Sequence, residues 1–124
     1  MKEIISTESA PKAIGPYSQA TKLNGLVFVS GQLPMDPKTG KLVDGIENQA
    51  KQSLENLAAI LTEAGSDLSK VVKTTIFLKN LEHFQTVNAI YAQYFTSRHP
   101  ARSTVQVAKL PLDAEIEIEA IGAV

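Results

Sequence analysis

At 124 residues, 44% apolar and 20% charged, the chain is long enough for one domain with a real core, residues 1–124, and too short for two. Twelve Lys and Arg against 13 Asp and Glu give a net charge of −1, so no broad positive field recruits polyanions and nucleic acid is not an expected partner. The lack of cysteine excludes disulfides, thiolate chemistry and cysteine zinc sites; with no basic-then-apolar leader and no run of bilayer length, no membrane association is expected and the cytoplasm is the expected compartment.

Lys2 to Ser6 reads as a short edge strand, and the Pro- and Gly-punctuated stretch 9–16 as a loop. Tyr17 to Leu23 and Leu26 to Ser30 read as strands joined at Asn24-Gly25, the dipeptide that most readily adopts the positive φ of a tight hairpin. Gly31 marks either a close backbone approach or a bend at the sheet edge. Residues 34–40 form a turn-rich loop with its tight corner at Pro37-Lys38-Thr39-Gly40.

Asp44-Gly45-Ile46-Glu47 resembles a capped helix start, with the Asp44 carboxylate accepting from a free amide and Glu47 three residues on. Apolar residues then recur at Ile46, Ala50, Leu54, Leu57, Leu61 and Ala64, one helical stripe, and Gly65 ends it. The β-branched run within Ser69 to Leu78 predicts a strand. Asn80 is placed to cap a second helix reaching about Phe95, with Leu81, Phe84, Val87 and Tyr91 as its stripe, closed by Arg98-His99-Pro100. Ser103 to Val107 and Glu115 to Ile121 alternate with period two and read as strands, with Arg102 at the mouth of the first. The break between them, 108–113, is short, so the two strands are expected to bring Arg102 and Glu117 together.

The helix–strand alternation implies crossover units, right-handed, in a sheet of parallel or mixed pairing. Two helices cover one face of that sheet. Whichever parity is chosen, the other face keeps apolar residues, so an oligomer that buries it is expected.

Several side chains carry candidate chemistry. Arg102 is either a guanidinium fork for a ligand carboxylate or phosphate, or a solvated or intersubunit ion-pairing arginine. Glu115, Glu117 and Glu119 share a strand face, where three like charges destabilise unless solvated; the solvated reading is kept for Glu115 and Glu119. Glu117 is either a third solvated carboxylate or one pushed into a crevice, its pKa raised by desolvation so that it trades protons near neutral pH. Tyr17 walls a pocket or packs at a rim, Ser30 faces a ligand or serves a turn, and Asn88 breaks the second helix's stripe toward a ligand or toward solvent. His83 and His99 read as surface residues, too few for a metal cluster. No Gly-rich phosphate fingerprint, His-Glu-x-x-His or nucleophile elbow occurs. What is left is a site without metal or cofactor that uses an arginine, a carboxylate, backbone groups and water.

These residues together resemble the RidA (YjgF-like) family of reactive-intermediate enamine/imine deaminases. The resemblance rests on Ala13-Ile14-Gly15-Pro16-Tyr17-Ser18-Gln19-Ala20, residues 29–34, Asn56-Leu57, residues 72–78, Asn88-Ala89-Ile90-Tyr91, Pro100-Ala101-Arg102-Ser103-Thr104-Val105 and Glu117-Ile118-Glu119-Ala120-Ile121. It implies a chorismate-mutase-like α+β fold, two helices on one face of the sheet, and a homotrimer whose sheets form a central barrel with clefts between subunits. It also implies that Arg102 clamps a substrate carboxylate and that Glu117 holds or activates water. Tyr17, Ser30 and Asn88 would line the cleft, and the backbone at Gly31 and Thr104 would add hydrogen bonds. The implied reaction is that of a 2-iminobutanoate/2-iminopropanoate deaminase, converting 2-enamino and 2-imino acids to 2-oxo acids and ammonia. Many relatives carry cysteine where this chain has Thr104, so a thiol-based switch is absent. A 2-oxo-acid-binding regulatory module, an RNA-cleaving translation inhibitor and a trimer with a vestigial cleft are the competing readings.

Overall fold

A computed structural model describes all residues, Met1–Val124. Its strands are β1 (Glu3–Ile5), β2 (Ala20–Leu23), β3 (Leu26–Gln32), β4 (Val71–Leu78), β5 (Ala101–Gln106) and β6 (Ile116–Ala123). Helix α1 (Ile46–Glu63) lies between β3 and β4, and α2 (Phe84–Tyr94) between β4 and β5. One mixed sheet runs β1-β2-β3-β6-β4-β5. Only β4 and β5 pair parallel, joined by the α2 crossover; β6 is antiparallel to both β3 and β4 and so splits the β3–α1–β4 unit.

The local signals in the sequence account for most of these elements. Asn24 (φ 51°) and Gly25 (φ 78°) are both left-handed, as a two-residue hairpin turn that follows the strand twist demands, and Leu23 faces Leu26 across it. Helix α1 ends on Gly65 (φ 84°): its amide donates to the Thr62 carbonyl, and that of Ser66 to the Leu61 carbonyl, the double closure a glycine permits.

The other end of α1 corrects the sequence reading. Gly45, at φ 86°, is the capping position, and no side chain caps the helix, so Asp44 stands one residue too early to reach its free amides. Strand β2 begins at Ala20 rather than Tyr17, because the Tyr17 amide turns back to the Gly15 carbonyl (2.9 Å) with Gly15 at φ 115°. Asn80 does cap, accepting from the Glu82 amide (2.9 Å), but it opens a short 3-10 turn at Leu81–His83 that leads into α2. Leu81 and Phe84 stay exposed, and the buried stripe is Val87, Ile90, Tyr91 and Phe95.

Both helices sit on one face of the sheet. Leu54, Leu57 and Leu61 of α1 pack into one core with Val27, Ile76, Leu78, Ile116 and Ile118, all fully buried. The opposite face is uncovered. Register places Ile4, Thr21, Phe28 and Ile121 in a row across it, and Ile4, Leu23, Leu26, Phe28 and Val105 are exposed there. No helix is long and apolar enough to cross a membrane.

Buried amides hold the loops at one end of the sheet. Asn56, 1% exposed on α1, donates to the carbonyls of Leu33 (3.1 Å) and Met35 (2.9 Å) and accepts from Gln52 (2.8 Å). Truncation strands two inward-facing carbonyls, so Asn56→Ala is expected to cost about 3 kcal/mol, measured by urea unfolding. A cost under ~1 kcal/mol would mean that the 33–35 loop is held by other contacts.

Candidate active site

The glutamate side of the site is built on the uncovered face. Strand β6 alternates, with Ile116 and Ile118 buried under the helices, so Glu117 points the other way, paired in register with Phe77. The ladder between β3 and β6 shifts between Val29 and Gln32, and this irregularity brings Gly31 against the glutamate. A methyl group on Gly31 would lie 2.7 Å from Glu117 Oε2 and 2.8 Å from its carboxyl carbon. Glycine is therefore required by close approach, one of the two roles its sequence position suggested. Burial, and then the neighbouring Glu119, hold the Glu117 carboxyl above the usual carboxylate range.

A cavity of 470 Å³ opens beside this carboxylate, lined by Tyr17, Ser30, Gly31, Ile14 and Leu112 among others. The Ile14 amide donates to the Tyr17 hydroxyl (3.4 Å), and Ser30 Oγ donates to the Ser18 carbonyl (2.7 Å), which leaves its lone pairs free to accept. Gln19, 4% exposed, donates to the carbonyls of Thr7 (3.0 Å) and Pro11 (2.8 Å) and so holds the N-terminal loop that walls the cavity. Gln49 accepts from the Glu115 amide (2.9 Å), fixing the entry to β6.

The arginine side lies elsewhere. Arg102 belongs to the body of β5, not its mouth, and pairs with buried Thr74 on the helix-covered face. Its guanidinium stacks over the rings of Tyr91 (4.8 Å) and Phe84 (5.7 Å). Tyr91 is itself fixed by Thr74 Oγ1 (2.8 Å) and by stacking on Phe95 (4.5 Å); burial raises its phenol pKa, so the ring stays neutral beneath the cation. Neither ion pair of the chain, Lys22–Glu3 or Lys79–Asp113, involves Arg102. A second cleft, 410 Å³, opens beside it, lined by Asn88, His99 and Pro100.

The expected juxtaposition of Arg102 and Glu117 within the chain does not occur. Their strands are not neighbours, because β4 lies between them, and the two residues register with Thr74 and Phe77, on opposite faces of that strand. Two strand spacings separate them by roughly 10 Å across the sheet, with the sheet itself between the side chains. Tyr17, Ser30 and Gly31 gather with Glu117, whereas Asn88 gathers with Arg102. Thr104 pairs with Ile76 and lines neither cavity, and its buried Oγ1 has no partner. His83 lies apart on its 3-10 turn, and Glu119 is solvated. No three His, Asp or Glu side chains converge as a metal-binding group. The sequence reading missed the amide scaffold of Gln19 and Gln49, the aromatic bed under Arg102, and Leu112. Only the aromatic bed left a trace, as apolar residues at helical spacing that the core does not fully absorb.

Adding the missing methyl at Gly31 tests the geometry of the glutamate side. Gly31→Ala is expected to cut turnover by about a hundredfold through displacement of a carboxylate that has no spare room. Circular dichroism should remain that of the parent. Undiminished turnover would show that the carboxylate need not be where the glycine leaves it.

The chain matches the family described as Endoribonuclease L-PSP over residues 7–124. It is 58% identical over 122 residues to Reactive Intermediate Deaminase A, chloroplastic, of Arabidopsis thaliana, covering 98% of this chain and 65% of that protein's length. It is 52% identical over 125 residues to the 2-iminobutanoate/2-iminopropanoate deaminase of Salmonella typhimurium, covering 98% of both. Among solved structures, E. coli TdcF with bound serine superposes with a TM-score of 0.95 at 45% identity, covering 98% of each chain.

Proposed function

The chain belongs to the RidA (YjgF-like) family, and on that premise we propose that its arginine and glutamate half-sites meet in clefts between subunits of a trimer. The protein deaminates reactive 2-imino and 2-enamino acids to 2-oxo acids, the activity of a 2-iminobutanoate/2-iminopropanoate deaminase. One observation carries the assembly. Each chain holds a carboxylate cavity on one face of its sheet and a stacked arginine on the other, so one chain alone cannot apply both groups to one small substrate. The exposed apolar row on the uncovered face supports the same reading, because closure of three sheets into a barrel would bury it.

In such a cleft Arg102 grips the substrate carboxylate with two parallel N–H donors, and its aromatic bed fixes the plane of the fork before substrate arrives. Asn88 stands beside it as a further polar contact. The imine carbon then lies toward Glu117 of the adjoining subunit. Glu117 takes a proton from water as the new C–O bond forms, and delivers it to the nitrogen as the C=N π bond opens. The resulting carbinolamine passes its hydroxyl proton to nitrogen by the same carboxylate. The C–N bond breaks, ammonia departs and the C=O of the 2-oxo acid remains. A carboxylate whose pKa is raised is a stronger base than a solvated one, which suits it to both transfers. Tyr17, Ser30 and the backbone at Gly31 complete the walls in this reading, and the backbone at Thr104, two residues along β5 from Arg102, adds a hydrogen bond once the subunits meet. The serine held by TdcF, a small α-amino acid, has the carboxylate and nitrogen that such a cleft would grip.

The test couples the protein to a threonine dehydratase and follows ammonia and 2-oxobutanoate release. Faster release with protein than without is expected, and equal rates would refute the reading. Nucleic acid has no place in it, and no gel shift with RNA at modest salt is expected.

A further inference from the structure

Between β5 and β6 the chain makes a turn that is costly for its sequence. Leu112 (φ 59°, ψ 19°) and Asp113 (φ 57°) are consecutive, neither is glycine, and both are left-handed, a conformation that brings Cβ too close to the carbonyl oxygen. The turn is held from several directions. Lys79 Nζ pairs with Asp113 Oδ1 at 2.9 Å, and the amides of Asp113 and Ala114 donate to the carbonyls of Leu110 (3.1 Å) and Pro111 (3.2 Å). Just beyond, the Lys79 amide donates to the Glu115 carbonyl (2.9 Å), and Gln49 anchors the Glu115 amide.

This arrangement does not serve the core. It leaves the Leu112 side chain 64% exposed, on the wall of the cavity that holds Glu117. Ile14, 78% exposed, comes to the same cavity from the N-terminal loop, and Leu33 and Met35 line it as well. A strained backbone that presents an aliphatic side chain to a cavity is a feature of function rather than of stability.

We propose that Leu112 is a specificity-determining residue, forming with Ile14 the apolar wall that receives the side chain of the imino acid. The inference rests on the deaminase reading. With the substrate's carboxylate on Arg102 and its reacting carbon at Glu117, only the side chain remains to be placed, and the wall available near Glu117 is aliphatic. It selects imino acids with extended apolar side chains over those with a methyl group.

The experiment compares imino acids generated in situ by an amino-acid oxidase from leucine and from alanine, and reads the ratio of kcat/KM for the two. Leu112→Gly and Leu112→Asn both remove the aliphatic group, and both residues accept a left-handed backbone, so folding is retained. The ratio is expected to fall at least about tenfold in each, since a hydrophobic pocket discriminates by roughly that factor per methylene. Wild-type hydrolysis of both substrates with an unchanged ratio in both variants would overturn the role of Leu112 and leave the deaminase reading intact. A wild type that hydrolyses neither would overturn that reading, and this inference with it.

Discussion

Arg102→Ala and Glu117→Gln, each strongly impaired alone, are expected to restore turnover when co-assembled. The two residues are separated by the sheet within one chain, so in the proposed trimer each cleft takes its arginine from one subunit and its glutamate from another. Loss of the guanidinium fork removes the orientation of the substrate, and Arg102→Ala alone should fall about a thousandfold. In a closed ring assembled at random from equal amounts of the two variants, about one cleft in four receives both intact groups. Co-expression with distinct tags, tandem purification to remove the single-variant assemblies and the dehydratase-coupled assay would give roughly a third of wild-type activity, since every mixed trimer holds one intact cleft of three. Absence of any recovery in verified mixed assemblies would place both groups in one chain's site, or outside the site altogether.

Glu117→Gln, the second large effect, should divide stability from activity. Turnover is expected to drop by about 10²–10⁴, the usual contribution of a positioned proton-transfer group. Stability should move the other way. The folded-state pKa of Glu117 is raised, first by burial and then by Glu119, so the folded chain binds its proton more tightly than the unfolded chain does. The associated stability is fully present below the unfolded value of 4.5 and is lost as pH rises through the folded pKa. At neutral pH the wild type therefore carries a poorly solvated charge that glutamine lacks. The variant's Tm is expected to exceed the wild-type Tm at pH 7, and the gap should close as pH falls toward the ordinary carboxylate range. A constant gap across that range would mean that ionisation of this carboxylate does not oppose folding. A catalytic group that weakens its own fold is the common trade between activity and stability.

The uncovered face and the split site explain each other. An apolar row that includes Ile4, Phe28 and Ile121 lies open on the same side of the sheet as the Glu117 carboxylate. The copies that cover that row in the proposed trimer are also those that supply a foreign Arg102 to the glutamate. In the proposed trimer, folding of the subunit and completion of the site are separate steps.

Elements whose cause is local were legible in the chain itself. Asn24-Gly25 had to turn because both residues accept positive φ, and Gly65 had to end α1 for the same reason. The stripe Ala50-Leu54-Leu57-Leu61 fixed a buried helix face, and the alternation of 116–121 fixed which side chains of β6 share a face. The cap at Asp44 was misread because a residue type says what it can accept, not whether the free amides lie within its reach. Leu112 gave no signal, since nothing in a leucine announces a left-handed backbone.

By itself, then, the sequence determined where the helices and most strands run and which side chains of one element share a face. Those properties follow from side-chain period and backbone preference, which act over a few residues. Only the tertiary structure decided that β4 lies between β5 and β6, because a short connection does not specify which strands become neighbours. That insertion separates the two strands, and the odd register offset on β4, Arg102 against Thr74 and Glu117 against Phe77, puts the side chains on opposite faces and turns an apparent pair into two halves.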